Sequence, residues 1–399
     1  MSGARAEGDS DHCFMSEGKK PVIIYGGSFD PPHRGHTALA AAALRQLRPS
    51  ALYFVPGFRT PFKDLLPVPF AGRAALLRAA LAEAGLGGRR EIKISSFEAD
   101  QKRVVYTYET VEHFRRQHPG APLYFLMGSD CLAGFGNWRR PGFILKNARL
   151  LAGLRPGHSH GSGGAPFTAL AGRFPRADST GIRTALFLGR RPAQLHRAVL
   201  EKIEKKRLYL GRERALLKKF LTPARFRHSL HTAKLALRLA PAVGVPQQKA
   251  ALAALLHDCA RDLPPAALRR FCLKRAPRSA QPLLTLKEAP ALAHAWAGAA
   301  LAGEKFGVKD PEILKAITLH ATGAPGMGLL ARLIYVSDLA NHGRAFREAG
   351  LVRELVFKDF AAAFRAANYV KLVYAFSGGG WVHPLSVSLW NSLQEKKKG

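Results

Sequence analysis

Two groups of residues in this 399-residue chain have the types and spacing to do chemistry. The first is the run Gly26-Gly27-Ser28-Phe29-Asp30-Pro31-Pro32-His33-Arg34-Gly35-His36, between the apolar stretch Val22 to Tyr25 and an Ala-rich segment. Glycines at a strand end let backbone N–H groups approach an anion closely, and the following helix turns its positive end toward it. His33 and His36 stand three apart on the first helical turn, so both imidazoles can face one phosphate. The second group comprises His228, the adjacent pair His257-Asp258, His294, His320 and Asp338, each in an otherwise apolar helical stretch. Singly, each reads as a satisfied core histidine or a carboxylate bonded to backbone. Together they place imidazoles and carboxylates on the apolar sides of five helices, which is costly unless the groups are paired or hold a metal. A His-Asp pair with isolated His partners suits nitrogen- and oxygen-ligated Fe²⁺ or Mn²⁺, either one ion or two sharing Asp258.

The elements that must position these groups differ between the halves. Residues 22–25, 52–55, 92–94 and 123–126 read as buried strands, separated by helices near 37–47, 73–84 and 108–117. Alternation of this kind predicts a parallel sheet with helices on both faces. Beyond Pro192 the apolar spacing is helical throughout, so the second half reads as all-α. The expected organisation is a disordered N-terminus over 1–20, an α/β domain over 21–192, a helical linker over 193–213, an all-α domain over 214–395 and a basic tail over 396–399.

The pattern GGSFDPPHxGH resembles the HxGH nucleotidyltransferase superfamily, and its Asp-Pro-Pro-His wording is similar to bacterial nicotinate-nucleotide adenylyltransferases. Further likenesses are Pro61-Phe62-Lys63, with Phe62 where the family has His, Tyr106-Thr107 ahead of a helix, and Gly128-Ser129-Asp130 followed by Trp138. Asp178-Ser179-Thr180-Gly181-Ile182-Arg183 is similar to a further family segment, with Asp178 in place of Ser. The resemblance implies a Rossmann-like fold and transfer of AMP from ATP, accompanied by Mg²⁺, to nicotinate mononucleotide, giving deamido-NAD and pyrophosphate. His33 and His36 are then the catalytic pair, stabilising the α-phosphoryl group as one phosphate oxygen attacks in line. Gly26, Gly27, Ser28, Lys63, Gly128, Asp130, Ser179, Thr180 and Arg183 are the expected ATP and phosphate contacts, and Thr107 and Trp138 those of the nicotinate nucleotide. Such chemistry rests on positioning and charge neutralisation. Trp138 also reads as a core or rim residue, and Asp130, Ser179 and Thr180 as helix caps.

The second half resembles the HD superfamily of metal-dependent phosphohydrolases, most closely the symmetrical diadenosine-tetraphosphate hydrolases. The likeness runs through His257-Asp258, His320-Ala321-Thr322-Gly323, Tyr335-Val336-Ser337-Asp338 and Val382-His383-Pro384-Leu385, with Arg261 where the family has Lys. It implies metal-assisted cleavage of the central phosphoanhydride of diadenosine tetraphosphate to two ADP, with His228, His257, Asp258, His294, His320 and Asp338 as ligands. Asp262, one turn beyond Asp258, would orient water or a ligand histidine, or merely serve the helix surface. The alternative is a regulatory, nucleotide-sensing HD module, or one acting on another nucleotide.

Composition bounds these readings. Apolar residues make up 47% and charged residues 22%, as in a packed globular chain. Lys plus Arg number 61 against 28 Asp plus Glu, a net +33 that attracts polyanions. It is spread through helices and reads first as compositional bias, so nucleic acid is not an expected partner. The expected partners are small-molecule nucleotides, with room for a homo-oligomer. Four cysteines without paired spacing argue against a disulfide framework, residues 1–20 carry no secretory h-region, and no membrane span is evident. The expected location is cytoplasmic.

Overall fold

The computed structural model describes residues 19–58, 68–128, 131–154, 165–276 and 281–394. The chain divides into two compact units, one running to Ser179 and including Ala193–Lys202, the other comprising Thr180–Pro192 and everything from Ile203. The ends expected to be a disordered N-terminus and a basic tail lie, but for Lys19 and Lys20, outside the described residues.

The first unit contains β1 (Val22–Gly27), α1 (Arg34–Leu47), β2 (Ala51–Pro56), α2 (Phe70–Glu83), β3 (Ile92–Ile94), α3 (Phe97–Asp100), α4 (Thr107–Gln117), β4 (Leu123–Gly128), α5 (Pro141–Asn147), β5 (Arg149–Gly153) and β6 (Phe167–Leu170). All pairings are parallel, in the order β3-β2-β1-β4-β5-β6. Both faces are covered. Val22 and Ile24 pack with Phe114, Phe125 and Leu150, whereas Ile23 and Tyr25 pack with Leu39, Phe54 and Leu77. Burial on both sides is why β1 reads as an unbroken apolar run rather than an alternating one. The four strands that the sequence pattern predicts are present. β5 and β6 are additional: neither Arg-Leu-Leu-Ala-Gly nor Phe-Thr-Ala-Leu has a β-branched run, and β4 supplies the edge on which they pair in turn.

Two helices cross the division between the units, α6 (Ser179–Phe187) and α7 (Arg197–Lys205). The start of α7 is anchored within the first unit by Glu83. Its carboxylate accepts from the N–H groups of Arg197 (3.0 Å) and Ala198 (2.7 Å), which an N-terminal helical turn leaves unpaired. His196 lies between Glu83 (3.3 Å) and the Thr37 hydroxyl (2.9 Å). The stretch expected as a linker therefore begins as part of the first unit.

Every further described element of the second unit is a helix: α8 (Gly211–Leu217), α9 (Pro223–Val243), α10 (Gln247–Leu256), α11 (Pro265–Arg275), α12 (Pro282–Glu288), α13 (His294–Lys305), α14 (Pro311–Leu319), α15 (Leu329–Ala340), α16 (Arg347–Leu355), α17 (Phe360–Ser377) and α18 (Pro384–Gln394), with a short 3-10 turn ahead of α13. Their starts are written in the sequence. Thr222 caps α9 ahead of Pro223, and Asp310 caps α14 ahead of Pro311. α10 packs against α9, α14 and α15, and α13 packs against α14. This packing brings five helix ends and faces toward one point.

Candidate active sites

In the first unit, β1 and β4 are neighbours with Tyr25 opposite Leu126, so Gly27 and Gly128 each lie two residues further on. Here the strand order changes direction, and open parallel sheets form ligand clefts at such points. Beyond Gly27 and Ser28, Phe29 adopts φ = 47°, a left-handed conformation that a bulky residue takes only under constraint. Its ring is fully buried against Tyr25, Phe54 and His36. The glycines are required from behind as well. A Cβ on Gly26 would lie 2.9 Å from the Phe125 ring, and one on Gly27 3.2 Å from Phe29.

His33 is the N-cap residue of α1, and His36 sits on its first turn. Their rings stack at 3.7 Å with 22° between planes. The His33 N–H donates to His36 Nδ1 at 3.1 Å, so the neutral His36 ring carries its proton on Nε2, as a donor. Thr107 opens α4 and Gly128 closes β4. Trp138 is partly buried and meets Phe125 edge-on at 5.9 Å, so part of the indole serves the core. Ser179 opens α6 at the end of this unit; Thr180 and Arg183 fall in the second unit, where the buried Arg183 reaches Thr180 Oγ1 at 3.2 Å. Lys63 and Asp130 lie outside the described residues.

Sequence reasoning missed Arg73. The residue is 1% exposed, and its guanidinium donates to the carbonyls of Val68 (2.9 Å), Ser28 (2.6 Å) and Gly57 (2.6 Å). Gly57 N–H in turn donates to Gly27 O at 3.1 Å. A trans peptide sets each C=O antiparallel to the next N–H. With the Gly27 and Ser28 carbonyls turned toward Gly57 and Arg73, the N–H groups of Ser28 and Phe29 face the other way. Behind the same turn, Glu98 accepts from Thr110 Oγ1 at 2.7 Å, and burial pushes its carboxyl up to about 7. The available signal for Arg73 was an arginine inside an Ala- and Leu-rich helix.

In the second unit the six predicted ligand residues converge. His228 comes from α9, Asp338 from α15 and His294 from the first position of α13, while His257 and His320 end α10 and α14. Asp258 stands at the centre. Its Oδ1 lies 2.9 Å from His294 Nε2 and 3.5 Å from His320 Nε2, and its Oδ2 lies 3.7 Å from His257 Nε2 and 3.9 Å from His228 Nε2. Asp338 Oδ1 is 3.0 Å from His228 Nε2 and 3.6 Å from His257 Nε2. His257 and His320 give their Nδ1–H groups to the carbonyls of Ala254 and Ile317, both at 2.7 Å. In the neutral rings Nε2 therefore carries a lone pair, and it is aimed at carboxylates and other imidazoles. Acceptors facing acceptors across these distances call for a cation between them, so the donor set fits a divalent metal. Burial pushes the His320 imidazole down to about 4. Burial would raise the Asp258 carboxyl, but positive charge at His257 and proton donation from His294 and His320 outweigh it and hold it well below the usual range, so the carboxylate calls for a cation, proton or metal, among these rings.

Asp262 is placed differently from the ligands. It accepts from Thr222 N–H at 2.8 Å and lies 3.9 Å from Arg225, at the start of α9. Cations that sequence reasoning left unassigned do reach the cluster. Arg344 meets Asp338 at 3.0 Å, Lys371 meets it at 3.4 Å and Arg225 meets Asp258 at 3.8 Å. Lys371 also donates to His320 O at 2.7 Å. A lysine within the apolar α17 sequence was the signal. Arg261 lies 2.8 Å from His294 Nδ1 and donates to Ala291 O.

Comparison with known proteins defines the class of each unit. Residues 24–186 match the Cytidylyltransferase-like family and residues 225–341 the HD domain. A "Probable nicotinate-nucleotide adenylyltransferase" of Exiguobacterium sibiricum is 32% identical over 170 residues, 42% of this chain and 87% of that protein. The "Bis(5'-nucleosyl)-tetraphosphatase, symmetrical" of Bacillus subtilis is 36% identical over 186 residues, 46% of this chain and 98% of that protein. A Mycoplasma pneumoniae protein, "Probable nicotinate-nucleotide adenylyltransferase/Ap4A hydrolase", is 27% identical over 337 residues, covering 82% of this chain and 90% of its own. The chain belongs to the nicotinate-nucleotide adenylyltransferase family through its first half and to the symmetrical bis(5'-nucleosyl)-tetraphosphatase family through its second. None of the described helices is long and apolar enough to cross a membrane.

Proposed function

We propose that the chain is a bifunctional enzyme. The first unit transfers AMP from ATP to nicotinate mononucleotide, and the second hydrolyses diadenosine tetraphosphate to two ADP. The observation that carries the reading is that one polypeptide holds a stacked histidine pair at the start of α1 and, in its other unit, a carboxylate with a histidine pair at each oxygen.

In adenylyl transfer a phosphate oxygen of the mononucleotide forms a bond to the α-phosphorus of Mg²⁺-ATP, and the bond to the leaving pyrophosphate breaks. The chain need not form a covalent intermediate. His36 offers Nε2–H to the α-phosphoryl oxygens, with its tautomer set by His33 N–H. The N–H groups of Ser28 and Phe29 and the start of α1 add fixed positive dipoles. Gly26, Gly27, Gly128 and Ser179 contribute further ATP contacts and Thr107 and Trp138 meet the nicotinate nucleotide, while Lys63, Asp130, Thr180 and Arg183 stay ATP-contact candidates on the sequence motifs alone.

In the second unit His228, His257, Asp258, His294, His320 and Asp338 would hold one or two Fe²⁺ or Mn²⁺ ions, with Asp258 shared where there are two. Bound there, the metal lowers the pKa of water and neutralises polyphosphate charge. The chain's own residues fix the geometry. Ala254 and Ile317 orient the His257 and His320 rings, and Arg344 and Lys371 hold Asp338. Arg225 and Arg261 face the polyphosphate, and Asp262 acts by holding the start of α9 and Arg225.

The test is incubation of the purified chain with ATP plus nicotinate mononucleotide, and separately with diadenosine tetraphosphate, with products separated by chromatography. Deamido-NAD in the first and ADP as sole nucleotide product in the second are expected. Metal bound at the second site with no turnover of the dinucleotide would restore the regulatory alternative.

A further inference from the structure

The histidine–aspartate cluster forms one side of a cavity of about 850 Å³. At that side Arg225, Arg261, Arg344 and Lys371 supply positive charge. The remaining wall is different in kind, carrying Tyr369, Tyr374, Trp381 and Phe346. Tyr374 is 84% exposed and Tyr369 56%, so neither ring is held there by core packing. Exposed aromatics gathered at one cavity mouth, unlike singly scattered ones, indicate a ligand.

The helix supplies a ruler. Tyr374 follows Lys371 by three residues on α17, so the two side chains leave the same helix face with roughly 4.5 Å of rise between them. Lys371 is the cation in contact with Asp338 and the His320 carbonyl. The residue that brings positive charge to the cluster thus has an aromatic neighbour about one helical turn on, lining the same cavity. Trp381 is held from behind. Its ring meets His383 at 5.3 Å, and His383 packs on the fully buried Trp296 at 5.4 Å. Glu348 is the only carboxylate among the described lining residues outside the cluster, and its charge disfavours phosphate at that part of the wall.

We propose that Tyr374 and Trp381 form the stacking platform for a purine base of the dinucleotide whose polyphosphate lies on Arg225, Arg261 and Lys371. The proposal rests on the phosphohydrolase reading of this unit and adds the residues that recognise the nucleoside. Aromatic faces accept a base plane without reading its edge, and the cations grip only phosphate, so the two ends of the cavity bind separable parts of one ligand.

The test uses the full-length, metal-loaded chain with Tyr374→Ala, Tyr374→Phe and Trp381→Ala. At its exposed position Tyr374→Ala leaves the fold intact. It is expected to raise KM for diadenosine tetraphosphate about tenfold while kcat stays within about twofold. The inhibition constant for ADP rises in parallel and that for pyrophosphate, which has no base, does not. Tyr374→Phe keeps the ring and restores both values. Unchanged ADP affinity in both alanine variants overturns the platform, as does a parallel loss of ADP and pyrophosphate affinity. Equilibrium dialysis of ADP separates this outcome from failure of the hydrolase reading. A wild-type chain that binds ADP about tenfold more tightly than Tyr374→Ala, yet leaves the dinucleotide intact, retains the platform and loses the hydrolase.

Discussion

In the second unit His228, His257, His294 and His320 each come within about 4 Å of an Asp258 oxygen, and Asp338 comes equally close to His228 and His257; the groups are mostly buried, with the His257 and His320 rings already oriented by backbone carbonyls. The first unit gathers its candidate groups on strand ends and helix starts, with two stacked imidazoles at the centre and a buried arginine holding the turn from behind. The difference follows from what each must bind. A point cation needs ligands that converge on one place, and only rigid packing delivers that. An extended nucleotide is gripped along its length, so backbone donors and helix ends at the sheet edge suffice. The two sites are therefore expected to fail independently.

The largest effect should come from breaking each centre in turn. His36→Ala is expected to lower deamido-NAD formation by about 10²–10³-fold and leave tetraphosphate hydrolysis unchanged. Asp258→Ala should do the reverse. Chromatographic assay of both reactions on each variant checks this, and joint loss in either variant breaks the comparison.

Arg73→Met probes how far the first site depends on support from behind. Three carbonyls lose their donor, and unfolding should become easier by about 2–4 kcal/mol. Adenylyl transfer should fall about tenfold per folded molecule, with hydrolysis unmoved. If denaturant melts show the loss of stability while turnover per folded molecule holds, Arg73 packs the turn without shaping it.

A smaller and pH-dependent effect is expected at Glu98. Burial raises its carboxyl from the ordinary 4.5 to about 7 in the folded chain. Below pH 4.5 folded and unfolded forms are both protonated and the group is neutral for stability. As pH rises toward 7 the unfolded chain sheds its proton first, so stability is lost across that window and stays lost above it. Glu98→Gln should therefore gain about 1–3 kcal/mol over wild type at pH 8 and nothing at pH 4. Equal gains at both values would remove the carboxyl's ionisation as the cause.

The smallest effect should come from Asp262→Asn. Because Asp262 bonds Thr222 N–H and pairs with Arg225, hydrolysis should fall only about two- to fivefold at unchanged metal content. A loss of about a thousandfold would instead support the reading in which Asp262 orients water or a ligand histidine.

Much of this was legible in the residues. The glycine turn with His33 and His36 and the six candidate ligands carried by helices are types that cores do not tolerate without a reason, so they stood out. β1, β2 and β4 were visible because burial on both faces leaves continuous apolar runs, and β3, though expected as a buried strand, shows instead as an Ile-Lys-Ile alternation with Lys93 exposed. β5 and β6 were not visible, since their sequences carry little intrinsic preference and exist as strands by pairing. Arg73, Arg344 and Lys371 were hidden for another reason. Their roles lie in carbonyls and carboxylates contributed by distant segments, and no local spacing encodes those meetings. Asp262, whose helical offset left orientation of water or a ligand histidine and service to the helix surface equally open, also has a backbone partner, Thr222 N–H, that its spacing does not encode.

The central claim, one chain with a positioning site and a separate metal-gripping site, is tested most directly by chelation. The purified chain is stripped of metal, returned to Mg²⁺ alone, and assayed for both reactions from the same tube. Deamido-NAD formation should persist in full while tetraphosphate hydrolysis falls at least about a hundredfold and returns with Fe²⁺ or Mn²⁺. Hydrolysis that survives stripping, or two activities that vanish and return together, would contradict the account.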